Sequence, residues 1–94
     1  MTEGKTVAVV MCTYNGEKFL REQLDSILRQ TYPISEIIVQ DDCSTDSTVA
    51  ILRSYAARNG RVRVIVNEHN LGFNRNFRSA VMKATADFVA ISDQ

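Results

Sequence analysis

The sequence holds a single proline, Pro33, among 94 residues. Proline-rich spacers are thereby excluded, and nothing divides the chain into two units. Its length suits one small domain at most. No apolar run exceeds the six residues Val7 to Cys12, far short of the ~20 that a membrane-spanning helix needs. The opening residues, Met-Thr-Glu-Gly-Lys-Thr, lack the hydrophobic stretch of a secretory signal. Net charge is also missing: eleven Lys and Arg balance eleven Asp and Glu. A general nucleic-acid or acidic-membrane binder needs a cationic field, so no nucleic-acid partner is expected. Zero net charge equally gives little protection against self-association. Only two cysteines are present, Cys12 and Cys43, with no CxxC spacing. They are expected to be free, buried thiols in a reducing compartment. Glycine is scarce, and Gly16 stands alone after the first apolar run. No GxGxxG follows that run, and no GxxxxGK precedes a Ser or Thr. Glycine-rich cradles for phosphate are thus disfavoured. Phosphates would need another counter-charge, for which a metal ion is the obvious candidate.

What is present alternates. Val7 to Cys12 is a valine-rich run suited to a strand buried on both faces. Glu17 to Gln30 carries Leu20, Leu24, Ile27 and Leu28 at helical spacing, and Thr31-Tyr32-Pro33 stops it, because a residue before proline avoids the helical region. Glu36 to Gln40 is a second short strand, ending at Asp41-Asp42. Ser44 is expected to cap the next helix, with Asp46 in its positive first turn. That helix bears a stripe of Thr48, Ile51, Leu52, Tyr55 and Ala56, and Asn59-Gly60 ends it. Val62, Val64 and Val66 alternate with other residues, as in an edge strand. A third helix follows Asn70-Leu71-Gly72, with Phe73, Phe77, Ala80, Val81 and Ala84 on one face. Asp87 to Ser92 is the fourth strand.

The order β-α-β-α-β-α-β predicts an α/β fold: a parallel sheet with helices on both faces in three Rossmann-like layers. Right-handed crossovers favour strand order 3-2-1-4, with a switch point between the first and fourth strands. Ligands of such sheets bind outside the carboxyl ends of the strands, at that point. The rule selects residues 12–16, 41–44, 67–70 and 92–94. Asp41 and Asp42 alternate sides, so one of them faces the crevice. A carboxylate there suits a ligand N–H, such as the imide of uracil or thymine or N1–H of guanine. It could equally sit near helix N-termini for electrostatic reasons alone. Tyr14 could stack on a base or merely pack with its tip in water. His69 has no metal-ligand partner nearby in sequence and reads as a loop histidine. Arg75 and Arg78 could reach a phosphate or lie on a solvated helical face. Asp93, joined by other carboxylates, could hold Mg²⁺ or Mn²⁺; alone it offers too few ligands. A receiver-like phospho-acceptor domain is disfavoured, since its acid pair would follow the first strand rather than the second.

Four segments carry a resemblance: residues 9–16 (Val-Val-Met-Cys-Thr-Tyr-Asn-Gly), residues 37–46 (Ile-Ile-Val-Gln-Asp-Asp-Cys-Ser-Thr-Asp), residues 70–73 (Asn-Leu-Gly-Phe) and residues 88–94 (Phe-Val-Ala-Ile-Ser-Asp-Gln). Together and in this order they resemble the N-terminal, nucleotide-binding part of inverting family 2-type glycosyltransferases with the GT-A fold. The resemblance spans nearly all of residues 1–94, taken as one partial domain. It implies that Thr13, Tyr14, Asp42 and Arg75 bind the nucleotide. It implies that Asp93 is the first acid of the DxD motif, which holds a divalent metal. Cys43 stands where the family usually has glycine, so a slightly different turn is expected. The second DxD acid, the catalytic base and the acceptor-binding half are expected in a longer parent, leaving no catalytic residue here. The resemblance further implies a nucleoside-diphosphate sugar as donor and a sugar or lipid-linked acceptor. It places the enzyme in the bacterial cytoplasm or at the cytoplasmic face of the membrane, in polysaccharide biosynthesis. By itself the chain is expected to be inactive and able to form a homodimer through an exposed sheet edge. The alternative is a non-catalytic nucleotide-binding or self-associating α/β module.

Overall fold

A computed structural model describes residues 6–30 and 33–92. The predicted break at Thr31-Tyr32, and Asp93, lie outside the described residues. Seven elements alternate: β1 (Val7–Thr13), α1 (Leu20–Leu28), β2 (Ile34–Asp41), α2 (Thr48–Arg58), β3 (Val62–Val66), α3 (Phe73–Met82) and β4 (Phe88–Ser92). The strands form one sheet in the order β3-β2-β1-β4. Every neighbouring pair is parallel, with Val10 opposite Ile38 on one side and Ile91 on the other. This is the predicted order and the predicted switch point.

Side-chain alternation along the strands divides the core into two layers. Val9 and Met11 of β1 and Ile37 and Val39 of β2 face α1 and α2, meeting Leu20, Leu24, Ile51, Leu52 and Tyr55. Val10 and Ile38 face α3 and meet Ala80, with Cys12, Ile65, Val81 and Ala84 beside them. The first layer is the larger, and there the apolar stripes match expectation. The α3 stripe does not match throughout. Phe73 is 70% exposed, whereas Asn76 is 2% exposed. Phe73 lines a cleft rather than the core, and α3 meets the core residues Val10 and Ile38 through Ala80.

Two local expectations are corrected. Ser44 does not cap α2. Its hydroxyl and amide both bind the Asp41 carboxylate, at 2.6 and 2.8 Å. Ser47 is the N-cap without a side-chain cap bond, and Asp46 accepts the Thr48 N–H instead. The thiols of Cys12 and Cys43 are free but half-buried rather than buried.

Candidate functional site

Beyond the carboxyl ends of β1 and β4 lies a cleft of about 660 Å³. Its walls include Thr13, Tyr14, Asp42, Asn70, Phe73 and Asn76. Val10, Cys12, Ile91 and Ser92 also line it. Because β1 and β2 run parallel with Thr13 opposite Asp41, the alternation sends consecutive acids to opposite faces. Asp41 turns toward Thr13, whose hydroxyl donates to it at 2.7 Å. Asp41 is thus occupied in joining two strand ends and holding Ser44. Asp42 turns to the cleft.

Asp42 is only 4% exposed. Its Oδ1 accepts the Leu71 N–H at 2.7 Å and the Asn67 side-chain amide at 2.9 Å. Its Oδ2 accepts the Gly72 N–H at 2.9 Å. Burial pushes the Asp42 carboxyl up, but the donors Leu71, Asn67 and Gly72 together outweigh it and hold it below the ordinary carboxylate range. The group is therefore an anion at neutral pH. Two ionised oxygens offer roughly four acceptor sites, so three donors leave room on Oδ2 for one more. Burial, and then the Asp42 charge, push the neighbouring Cys12 thiol up; it is a neutral wall group rather than a nucleophile.

Tyr14 is presented by a latch between two loops. Asn15 takes φ +47°, and its side-chain oxygen accepts the Thr45 N–H at 2.8 Å. In return the Ser44 hydroxyl accepts the Asn15 N–H, and the Thr48 hydroxyl accepts the Gly16 N–H. The loops after β1 and β2 thereby hold each other, and Tyr14, half exposed at 51%, stands at the cleft wall. On the opposite strand loop, Cys43 takes φ +64°. That is the left-handed conformation a glycine adopts freely.

The glycosyl transferase family 2 model matches residues 8–94. The chain belongs to that family. It is 38% identical over 94 residues to a protein of Bacillus subtilis (strain 168) provisionally named glycosyltransferase EpsE, covering 99% of this chain and 34% of that protein. Among solved structures, mannosyltransferase PcManGT from Pyrobaculum calidifontis, in complex with GDP-Man and Mn²⁺, superposes with a TM-score of 0.83 at 31% identity. The match covers 93% of this chain and 26% of that one. Staphylococcus aureus TarS 1-349 in complex with UDP-GlcNAc gives a TM-score of 0.83 at 35% identity, over 94% of this chain and 26% of that one. The chain thus spans about a third or less of the length of these relatives.

In this family 2 chain, Thr13, Tyr14 and Asp42 line one cleft. Thr13 reaches it with its hydroxyl hydrogen already given to Asp41. Arg75 is exposed on α3 and is not among the cleft-lining residues. The described residues contain no group of three or more metal-ligating side chains. The carboxylate in the cleft, Asp42, is bonded to N–H donors, so the described residues do not by themselves make up a divalent-cation site, and Asp93 lies outside them. No described helix is long and apolar enough to cross a membrane.

Sequence reasoning missed Gln40, Asn67 and Asn76 as individuals. Asn67 donates to both Asp42 and Asn76, and Asn76 donates to the Gln40 carbonyl at 3.1 Å. A signal existed: Gln40 continues an apolar strand run, and Asn76 falls on the helical face of α3 that also carries Phe73, Phe77 and Ala80. Buried amides persist only where their hydrogen bonds are met.

Proposed function

We propose that this chain forms the nucleotide-binding part of a glycosyltransferase that moves a sugar from a nucleoside-diphosphate sugar to an acceptor hydroxyl, with inversion. The observation that carries the reading is the ionised, nearly buried Asp42 in a cleft beside Tyr14. Its spare acceptor site on Oδ2 suits a ring N–H, such as N3–H of uracil or N1–H of guanine. GDP-Man and UDP-GlcNAc, bound by the two similar structures, carry those bases. In this reading the Tyr14 ring packs on the base, and Thr13 closes the floor of the pocket. Arg75 meets a phosphate oxygen after rotating its side chain toward the cleft. A divalent metal belongs to the proposal, with Asp93 as the acid that the sequence offers toward it; bound, it supplies positive charge to the diphosphate. The acceptor, a sugar or a lipid-linked sugar, and the general base lie with the remaining length of the parent.

Calorimetric titration of the chain with UDP, dTDP and GDP tests this. Asp42→Asn keeps the shape but replaces one acceptor oxygen by a donor. A hydrogen bond to a charged group is worth about 1.5–3 kcal/mol. The variant should therefore bind the preferred nucleotide about tenfold to a hundredfold more weakly. Unchanged affinity would remove Asp42 from the pocket.

A further inference from the structure

Lys83 follows the last turn of α3, at the opposite end of the helix from the cleft. Its half-buried ammonium donates to the Ser79 hydroxyl at 2.7 Å and to Gln40 Oε1 at 3.2 Å. Among the described residues no carboxylate lies within ion-pair distance of it. A half-buried cation without an adjacent counter-ion needs a reason.

The hydrogen bonds beyond it supply one. Gln40 Nε2 donates to Asn67 Oδ1 at 2.8 Å, and Asn67 Nδ2 donates to Asp42 Oδ1 at 2.9 Å. A continuous chain thus runs Lys83, Gln40, Asn67, Asp42. Its direction is set from both ends. An ammonium only donates, so the Gln40 oxygen must face Lys83. A carboxylate only accepts, so the Asn67 nitrogen must face Asp42. Each amide dipole then points the same way, and hydrogen bonds in such a chain polarise one another. The flanking bonds agree. Asn76 Nδ2 donates to the Gln40 carbonyl, which leaves its oxygen for Asn67 at 2.7 Å. The charges also suit α3: the cation lies at its C-terminal end, and the anion binds Leu71 and Gly72 at its N-terminal end.

We propose that Lys83 is a positioning residue for Asp42, acting through Gln40 and Asn67, and that it sharpens the cleft's choice of a base that presents an N–H. This rests on the reading of Asp42 as the base-binding group. Removing the charge takes away the donor that orients the Gln40 oxygen; Gln40 is then held by Ser79 and Asn67, and Asn67 by Asn76. The Asn67 donor to Asp42 is thereby held less firmly, while the Leu71 and Gly72 N–H groups remain in place. A carboxylate with a fixed lone pair discriminates an N–H from a bare ring nitrogen better than one that turns.

The test uses Lys83→Met and, as a milder change that keeps a donor to Gln40 without charge, Lys83→Gln. Two quantities are read: the side-chain amide resonances of Gln40 and Asn67 by NMR without nucleotide, and the ratio of affinities for UDP and CDP. Cytosine has no N–H at the position where uracil does. Both variants should move the two amide resonances and lower the UDP-over-CDP ratio, about threefold to tenfold for Met and less for Gln. Unmoved resonances and an unchanged ratio in either folded variant would overturn the proposal. If the ratio holds in the Lys83 variants but collapses in Asp42→Asn, the positioning role fails and the base pocket stands. If Asp42→Asn also leaves the ratio unchanged, the base reading itself fails, and the specificity claim with it.

Discussion

Two neighbouring acids divide two tasks at this site by the period of a strand. Asp41 faces α1 and α2 and is consumed by Thr13 and Ser44. Asp42 faces α3 and holds the loop before that helix while keeping an open lone pair on the cleft side. Cys43, next in line, turns the chain in a left-handed conformation. A cysteine is thus held in the conformation that glycine adopts most freely. A left-handed residue other than glycine costs roughly 1–2 kcal/mol. The gain on substitution is offset by the ~0.4–1 kcal/mol that glycine adds to unfolded-chain freedom. Cys43→Gly should thus stabilise the fold by about 0.5–1 kcal/mol in urea unfolding. A loss of stability would mean that the Cys43 thiol, 3.8 Å from the Glu68 carbonyl, matters more than the strain.

Among the helices, α3 is the least anchored by buried apolar residues. Its fully buried hydrophobic residue is Ala80, seated on Val10 and Ile38. Much of its seating is polar, through Asn76, Ser79 and Lys83 on Gln40. Small-residue contact lets the helix lie close enough for those hydrogen bonds to form. Ala80→Leu would force it outward. Overpacking of this kind costs about 1–3 kcal/mol, and the cost should come with weaker nucleotide binding, since the same helix positions the Asp42 loop. Thermal melting and the nucleotide titration check both. A variant of unchanged stability and affinity would show α3 to be freer than the polar contacts imply.

For the molecule as a whole, the two sheet edges differ. β3 keeps Val62 buried, and Arg63 lies 4.0 Å from Glu36. β4 leaves Phe88, Val89 and Ile91 exposed at 53, 40 and 49%. An apolar edge with open backbone groups invites strand pairing, and the chain has no net charge to oppose it. We propose that the chain by itself dimerises along β4, and that Val89→Lys restores a monomer. Light scattering at high concentration checks it; a monomer throughout would exclude the edge as a contact.

How far these features were legible in the sequence follows from the range of the forces involved. Element order and the alternation of the two acids follow from apolar periods, which local sequence carries; crossover handedness narrows the strand order to a few arrangements, and the choice of Asp42 as the acid facing the crevice comes from the family resemblance. The gathering of Thr13, Tyr14 and Asp42 follows from local sequence too, since each stands at or just beyond the end of a strand. Ser44 illustrates the limit. Cap chemistry alone assigns it to α2, but the carboxylate three residues earlier, Asp41, is the partner it takes, and burial of Asp41 against Thr13 by the packed strands is what holds that carboxylate in place. Phe73 illustrates it again, because a helical stripe does not say which of its positions meets the core and which a cleft. The chain from Lys83 to Asp42 is the extreme case: its members are spread from position 40 to position 83. The sequence by itself determined which residues could face a cleft. The tertiary structure alone decided which amides meet and which way they point, because hydrogen bonds depend on distance and direction that no periodicity encodes.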